Sequence, residues 1–269
     1  MKYFKKQIYQ MFDTTRQAYY KRQKTMIQYF LEQQVICDAV RSIRRSQPRV
    51  GTRKLHRMLN DMGFHIGRDK LFYILRKNNL LVKPSKNYRK TTNSYHRFRK
   101  YSNLIKKLEV TRPNEVFVSD ITYLDTLEGF CYLALITDLD SRKIVGWDLS
   151  QTLAIEGCQR ALRIALRGVE NPKTLIHHSD RGIQYCSNGY VDILNKHEIK
   201  ISMTEEDHVY ENAIAERVNG ILKTEFLLGE KLHSFQVAKE LVRQSINTYN
   251  KQRLHTSLNY QTPEYRYAA

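Results

Sequence analysis

The sequence predicts an α/β protein in which an all-α region and a basic linker precede a mixed sheet flanked by helices. Apolar residues recur at helical spacing up to about residue 80, whereas the chain after Pro113 reads as three strands followed by alternating helices and strands. Charge divides along the same line: residues 1–110 carry 27 Lys and Arg and 6 Asp and Glu (net +21), and the rest carry 18 and 21 (net −3). These patterns predict a helical region at 1–80, a linker at 81–112 and the sheet region at 113–269.

Length and composition exclude several classes of protein. The 269 residues suffice for one large domain or two smaller ones, and the sequence has no run of about 18 apolar residues that would predict a membrane span. Charges interrupt the apolar residues of the N-terminal segment, unlike those of a signal peptide. Four cysteines without a CxxC pair predict a reduced cytoplasmic protein without a structural zinc site. The net charge of +18 favours a polyanionic partner over a merely solvated basic surface.

The N-terminal region has the pattern of a helix-turn-helix. After a helical segment, "EQQVICDAVRSIRR", two short amphipathic helices follow, with apolar stripes at Leu55, Met58, Leu59 and Met62 and at Leu71, Ile74 and Leu75. Gly63 ends the first of these helices and Gly67 begins the second. The basic residues of the second helix avoid its stripe, as a helix that reads a DNA groove requires: Arg68, Lys70, Arg76 and Lys77. An ordinary helical hairpin with solvated charges is the alternative interpretation.

The segment 81–112 is predicted to be an extended linker that lies along phosphates. It carries ten basic residues and one acid, with aromatic residues between them and no long apolar stripe before about Leu104. Such a composition suits phosphate contacts and base stacking. The candidate DNA contacts in it are Arg89, Lys90, Arg97, Arg99 and Lys100.

The sheet region is predicted element by element. "NEVFVSDITYLDT", "GFCYLALITDLD" and "RKIVGWDLSQ" indicate three consecutive strands, and "LAIEGCQRALRIALRG" indicates a helix. "KTLIHHSD" and "KISMT" indicate two further strands around the helix "SNGYVDILNKHE". Long helices begin near Asn212 and near Phe235. Asp138 and Asp140 are interpreted as turn residues between strands.

Three carboxylates of this region stand out by position. Asp120 lies within the first strand on an otherwise apolar side, where an unpaired acid is costly. Asp180 ends the fourth strand, and groups at strand carboxyl ends face a shared crevice. Glu216 lies on a helix, seven residues before Lys223, so that both side chains point the same way about 10 Å apart.

Three carboxylates without a histidine-rich set suit a hard divalent cation. Mg²⁺ prefers oxygen ligands, and two such ions about 4 Å apart stabilise the attacking and leaving oxygens of a phosphoryl transfer. Each acid also has an ordinary structural interpretation. Asp120 could form a salt bridge with an arginine, Asp180 could pair with Arg181, and Glu216 could be a solvated helix residue. His177 and His178 are interpreted as a strand pair with one ring inside and one outside.

Several motifs resemble a known family. "SDITYL", "HHSDRGIQY" and "ENAIAERVNGILKTE" are similar to the three catalytic signatures of the DDE integrase–transposase superfamily, and most of all to the OrfB product of IS-three family insertion sequences. In that family thirty-five residues separate the second and third acids, as residues 181–215 do here. The tail "YNKQRLHTSLNYQTPEY" and the helix-turn-helix segment also resemble the family's, so that the resemblance covers roughly residues 45–269.

The resemblance implies an RNase H-like fold, the integrase catalytic core, and a transposase that cleaves element ends and transfers the strand into target DNA. It implies that Asp120, Asp180 and Glu216 hold two Mg²⁺ ions, for which we expect Mn²⁺ to substitute. Lys223 matches the family's lysine that contacts DNA near the scissile end, and Asn212 matches its Asn-Ala pair. Glu211, where the family usually has Asp, departs from the pattern without removing a ligand.

The resemblance also implies the partners. They are double-stranded DNA (terminal inverted repeats and target), further copies of the chain on paired DNA ends, and a protein from an upstream reading frame, fused or separate. We expect a bacterial cytoplasmic protein associated with the nucleoid. The alternative functions are a catalytically inactive DNA-binding regulator derived from a transposase, and another RNase H-like nuclease.

Overall fold

The computed structural model describes residues 7, 9, 11–83, 97–205 and 212–269. The chain divides into two compact units, one formed by Met1–Arg45 with Val50–Lys83 and the other by Ser46–Arg49 with Pro84–Ala269. Arg89, Lys90 and Glu211, which the sequence singles out, lie outside the described residues. Among the described helices, none is long and apolar enough to cross a membrane.

The first unit consists of helices. Helix α1 spans Arg16–Ser46, α2 spans Thr52–Asp61 and α3 spans Arg68–Lys77. Gly63, which follows α2, has a φ of +89°, a conformation that favours glycine, and Gly67 precedes α3 as predicted. The two short helices therefore lie where the sequence predicts them, and their contact with DNA stays a prediction.

The core of this unit joins one face of each helix. Its buried apolar side chains include Ile36, Cys37, Val40, Leu55, Leu59, Leu71, Ile74 and Leu75. Asn60 holds the turn between the short helices, because its Oδ1 accepts from the Ile66 amide at 3.0 Å. The prediction for Met62 is wrong: α2 ends at Asp61, and the Met62 side chain is 58% exposed.

The second unit contains a mixed sheet. Its strands are β1 (Val116–Thr126), β2 (Gly129–Asp138), β3 (Ile144–Ser150), β4 (Ile176–Ser179) and β5 (Lys200–Met203). Their order is β3-β2-β1-β4-β5. The first three strands form an antiparallel meander, and β4 and β5 extend the sheet in parallel on the other side of β1. This arrangement follows from the predicted succession of three strands and then alternating helices and strands.

Helices cover both faces of the sheet. They are α4 (Ile155–Leu166), α5 (Ile183–Cys186), α6 (Asn188–Lys196), α7 (Ala213–Glu225), α8 (Phe235–Lys251) and α9 (Pro263–Ala268), with short 3₁₀ turns at Pro172–Thr174 and Thr256–Leu258. One apolar cluster joins β1–β3 to α7 and α8, and a second joins the opposite sheet face to α4, α5 and α6. The sequence missed α5 and α9, because segments of four and six residues are too short to show helical periodicity.

The turn between β2 and β3 is organised by Asp138. Its Oδ1 accepts from the amide of Ser141 at 2.7 Å and from the hydroxyl of Ser141 at 2.5 Å, and its Oδ2 accepts from the Asn114 amide at 2.8 Å. Burial raises the pKa of Asp138 despite these donors. Asp138 is therefore the last residue of β2 and its carboxylate organises the turn, whereas Asp140 lies in the turn as predicted.

Candidate active site

Asp120 and Asp180 follow paired positions on two adjacent strands. Strands β1 and β4 are parallel, with Val118 opposite His178 and Ser119 opposite Ser179. The next residue on each chain is Asp120 and Asp180, so that the two carboxylates project from the same side of the sheet where β4 ends. Acids separated by sixty positions in the sequence thus become neighbours through strand pairing.

Helix α7 lies against the same side of β1. The Nδ2 of Asn219 donates to Oδ2 of Asp120 at 2.7 Å, and the Nδ2 of Asn212 donates to the carbonyl oxygen of Ser119 at 3.1 Å. Ala215, between these two amides, is buried in an apolar cluster with Val116 and Val118 of β1. Two hydrogen bonds and an apolar contact therefore hold the helix that carries Glu216 against the strand that carries Asp120.

Backbone amides of neighbouring residues also donate to the carboxylates of the two aspartates. Oδ1 of Asp120 accepts from the amide of Ile121 at 2.9 Å, and Oδ1 of Asp180 accepts from the amide of Gly182 at 3.0 Å. A Cβ atom at position 182 would lie 2.9 Å from that same Asp180 oxygen. Glycine at 182 therefore allows the backbone to approach the carboxylate closely.

Negative charges concentrate at Asp120. Burial is the main cause that raises its pKa, to about 7, and the charges of Asp180 and Glu216 raise it further. The hydrogen bonds from Asn219 and Ile121 act in the opposite direction without restoring the ordinary value. Positive charge placed beside this carboxyl group, as a bound cation would provide, shifts it towards the ionised form.

The structure places Glu216 differently from the two aspartates. Glu216 is exposed on α7, within electrostatic range of Asp120. No group of three His, Cys, Asp or Glu side chains in the described ranges is arranged to hold a metal ion. The structure thus brings Asp120 and Asp180 together, and the three-acid ligand set stays a prediction. Carboxylate oxygens are nevertheless the donors that a hard divalent cation such as Mg²⁺ prefers, so that the residues present fit such an ion.

Both histidines before Asp180 are buried, so the prediction of one ring inside and one outside is wrong. The rings lie on opposite sides of β4, but helices and the segment around Leu104 cover both sides. The Nε2 of His177 lies 2.7 Å from Ser119 Oγ and 2.9 Å from Tyr190 Oη, and burial lowers its pKa to about 3. Because its ring is neutral and hydrogen-bonded in the core, His177 supports the strands beneath the acids.

Lys223 lies on α7 seven residues after Glu216, about two helical turns further along. Its Nζ is 4.2 Å from the centroid of the Tyr123 ring, a cation–π contact. Burial lowers the pKa of Lys223, and the charge of Asp120 opposes this change. The sequence did not indicate Tyr123, because strand alternation alone predicts a side chain on the face opposite to Asp120. Asn219 lies one turn after Glu216 on α7, but no sequence pattern identified Asp120 as the hydrogen-bond partner of Asn219.

The predicted DNA contacts differ in their surroundings. The α3 residues and three linker residues are exposed: Arg68, Lys70, Arg76, Lys77, Arg97, Arg99 and Lys100. Arg68 pairs with Asp69 through an Nε–Oδ1 contact of 2.8 Å. Asn212 is only 5% exposed, and its amide is used by Ser119, so that the structure gives it a partner inside the protein instead of a DNA-facing position.

Comparisons with known proteins agree with this arrangement. The integrase core domain family matches residues 110–208 and, through a second description of that domain, residues 197–263. An insertion element IS600 uncharacterized 31 kDa protein of Shigella sonnei is 37% identical over 81% of this chain and 81% of its own length. Transposase InsF for insertion sequence IS3A of Escherichia coli (strain K12) is 32% identical over 85% of this chain and 81% of its own length.

A solved structure shares the fold. In a cryo-EM structure of a simian T-cell lymphotropic virus intasome in complex with PP2A regulatory subunit B56 gamma, one chain matches with a TM-score of 0.51 at 16% identity. The match covers 82% of this chain and 71% of that chain. The predicted RNase H-like mixed sheet flanked by helices is confirmed. The chain belongs to the IS3-family insertion-sequence transposases, DNA-transposing enzymes of the DDE polynucleotidyl transferase type.

Proposed function

We propose that this transposase cleaves DNA at the ends of an insertion element and joins the freed strand to target DNA, with Asp120, Asp180 and Glu216 as its metal ligands. The observation that carries the proposal is that Asp120 and Asp180 directly follow Ser119 and Ser179, which are paired on adjacent parallel strands, and that the pKa of Asp120 is raised to about 7. A site that concentrates negative charge is suited to hold divalent cations, here Mg²⁺, two ions, with Mn²⁺ as a substitute.

The roles of the side chains follow from their positions. Asp120 and Asp180 would hold the metal from β1 and β4, and Glu216 would complete the ligand set from α7. When bound there, divalent ions would activate the attacking oxygen and stabilise the charge on the phosphate. Lys223, held over Tyr123 near Asp120, would place its ammonium group on a phosphate of the DNA end.

DNA binding is proposed for the basic part of the chain. We retain the division into a helix-turn-helix region (1–80), a basic linker (81–112) and a catalytic core (113–269). The net charge of +21 over residues 1–110 supports it, because phosphate neutralisation supplies most of the affinity for DNA. The residues proposed to contact DNA are Arg68, Lys70, Arg76, Lys77, Arg89, Lys90, Arg97, Arg99 and Lys100.

Assembly is also proposed. Two element ends must be cut and joined together, so we expect several copies of the chain on paired ends. The related fold found in an intasome supports this expectation at the level of the fold. An upstream-frame protein, fused or separate, is proposed to contribute further DNA contacts.

A strand-transfer assay tests the proposal. Labelled DNA that carries the ends flanking the gene is incubated with the chain and Mg²⁺ or Mn²⁺, and nicked and joined products are separated on denaturing gels. We expect the wild type to nick and join, and Asp180→Asn and Glu216→Gln to bind the same DNA while losing both reactions, by a factor of at least about 10³.

Other outcomes identify other functions. Binding without cleavage under every metal condition, even with the upstream-frame protein added, would indicate a regulator derived from a transposase. Cleavage that depends on branched or hybrid structure and not on the end sequence would indicate a different RNase H-like nuclease. Retention of strand transfer by Glu216→Gln would remove Glu216 from the ligand set.

A further inference from the structure

Asn219 makes a direct contact with the carboxylate of Asp120. Its Nδ2 donates to Oδ2 at 2.7 Å, which is at the short end of the range for an amide donor and typical of a hydrogen bond to a charged acceptor. The Asn219 side chain is only 6% exposed, so water does not readily replace it. Asn219 thus belongs to the surroundings of the acid, although it carries no charge.

This contact determines how the Asp120 carboxylate is oriented. Oδ1 accepts from the amide of Ile121 at 2.9 Å and Oδ2 accepts from Asn219, so that each oxygen has one donor. Two donors on opposite oxygens resist rotation of the carboxylate about its bond to Cβ. Each carboxylate oxygen can accept about two hydrogen bonds or ligand contacts, so each retains capacity for a cation.

Asn212, which immediately precedes α7, provides an internal comparison. It lies seven residues before Asn219, about two turns of helix or 10 Å away. It is similarly buried and also donates to β1, but its acceptor is the backbone carbonyl of Ser119. Both amides therefore attach α7 to β1, and of the two only Asn219 contacts a carboxylate. A purely structural role would make the two amides equivalent.

We propose that Asn219 is a positioning residue that orients the Asp120 carboxylate for a divalent cation. Because Glu216 lies one turn earlier on the same helix, the contact also sets the distance at which Glu216 is presented to Asp120. The inference rests on the proposed function, since it assumes that Asp120 is a metal ligand. Hydrogen-bond partners of metal ligands typically change metal affinity by about 10- to 100-fold when they are removed.

A metal-binding titration without DNA tests this role in the full chain. Asn219→Leu and Asn212→Leu remove the amide donor at similar side-chain volume, and Asn219→Ala repeats the first change with a smaller residue. Free Mn²⁺ is measured by electron paramagnetic resonance, and unfolding temperatures are recorded without metal. We expect both Leu variants to lower the unfolding temperature, and Asn219→Leu alone to raise the half-saturating Mn²⁺ concentration by about 10- to 100-fold.

The outcomes separate this inference from the function on which it rests. If Asn219→Leu and Asn212→Leu change the half-saturating concentration equally, Asn219 is merely structural and the inference is overturned. If Asn219→Leu does not fold, Asn219→Ala decides by the same comparison with Asn212→Leu. Asp120→Ala is titrated in parallel: if it binds Mn²⁺ as tightly as the wild type, the proposed metal site itself fails.

Discussion

The carboxyl group of Asp120 is subject to two opposing influences. Burial and the charges of Asp180 and Glu216 favour its protonated form, whereas the donors Asn219 and Ile121 favour the ionised form. The first influence is stronger, because two hydrogen bonds do not replace the water lost on burial. In the metal-free protein, the ionised site is therefore a source of instability that a bound cation would relieve.

This conflict predicts a pH-dependent stability in the presence of EDTA. The pKa of Asp120 is raised from 3.8 to about 7 on folding, so the folded state holds this proton more tightly than the unfolded chain. The protonated Asp120 therefore contributes to the stability of the folded state below about pH 4, and this contribution is lost as the pH rises to about 7. We therefore expect the free energy of unfolding of Asp120→Asn to rise relative to that of the wild type between about pH 4 and pH 7. Above about pH 7 the difference between the two proteins should stay constant.

Urea unfolding at a series of pH values measures the difference between the two proteins. Subtracting the two curves cancels the effect of groups that titrate in both proteins. His177 is one of them: its pKa is lowered to about 3, so its contribution to stability is lost as the pH falls, opposite to that of Asp120. A difference that does not vary with pH would show that Asp120 titrates normally. Addition of Mg²⁺ should stabilise the wild type more than Asp120→Asn.

Among the elements, the packing of α4 against β3 depends on one glycine. A Cβ atom on Gly146 would collide with the carbonyl oxygen of Ala161 and lie 2.9 Å from the Cβ of Ala165. These neighbours belong to the helix backbone and to a short side chain, and neither can move aside without shifting α4. The β3–α4 contact is therefore closer than any other residue type at 146 would permit.

Gly146→Ala is expected to lower the free energy of unfolding by about 1–3 kcal/mol, the usual effect of overpacking a core. Gly220→Ala is the matched control, because Gly220 lies within α7 and a Cβ there would have no neighbour within 4 Å. That variant should be neutral or stabilising by up to about 1 kcal/mol, since alanine favours the helix. Chemical denaturation measures both, and equal effects would contradict the predicted collision.

The C-terminal tail is attached to α7 by an ion pair between a buried arginine and a half-buried glutamate. Arg253 donates to both oxygens of Glu225 at 2.8 Å, its Nη1 lies 2.7 Å from Nε2 of His255, and its side chain is 4% exposed. These residues come from the tail that resembles the family's ending and from the end of the helix that carries Glu216. The tail motif thus supports α7 from the end opposite to Asn212.

Arg253→Ala is expected to lower the free energy of unfolding by about 1–3 kcal/mol, because it removes two charge-assisted hydrogen bonds from Glu225, whose side chain is 23% exposed. Arg243→Ala removes a bidentate pair of the same kind with Glu240, but both of those side chains are exposed, so little change is expected. Thermal and urea unfolding provide the comparison. A small effect of Arg253→Ala would mean that solvent reaches Glu225 and replaces the arginine.

Over the whole molecule, positive charge and acids are separated along the chain. Residues 1–110 carry a net charge of +21, whereas the remainder carries −3 and includes the three acids. Such a division suits a protein that holds a polyanion with one part and cuts it with another. The affinity for DNA should therefore depend on the basic part and fall steeply with salt.

The double variant Arg76→Gln/Lys77→Gln tests the contribution of α3, on which both side chains are exposed. For phosphate contacts, the slope of log K against log salt should decrease by about one for each contact removed, and cleavage at saturating DNA should persist. Lys196→Gln, at an exposed position on α6, is the control and should leave the slope unchanged. Equal slopes in all three proteins, measured by fluorescence anisotropy, would exclude α3 from the DNA interface.

The sequence by itself determined the order of helices and strands, the division of charge and the identity of the candidate acids. Helices and strands leave a local periodicity in the chain, and charge is additive, so neither requires knowledge of distant contacts. The three acid-bearing motifs, the spacing between Asp180 and Glu216 and the C-terminal tail together indicated a family. The helices of four and six residues, α5 and α9, escaped detection because they contain fewer than two helical turns.

Only the tertiary structure decided which groups meet. The register of β1 against β4 places Asp120 beside Asp180, and the position of α7 selects Asn219 as the partner of Asp120. The burial of both His177 and His178 likewise depends on helices that cover both sheet faces. Contacts of this kind arise between residues far apart in the chain, and a linear pattern does not specify them, because many registers satisfy the same alternation of apolar residues.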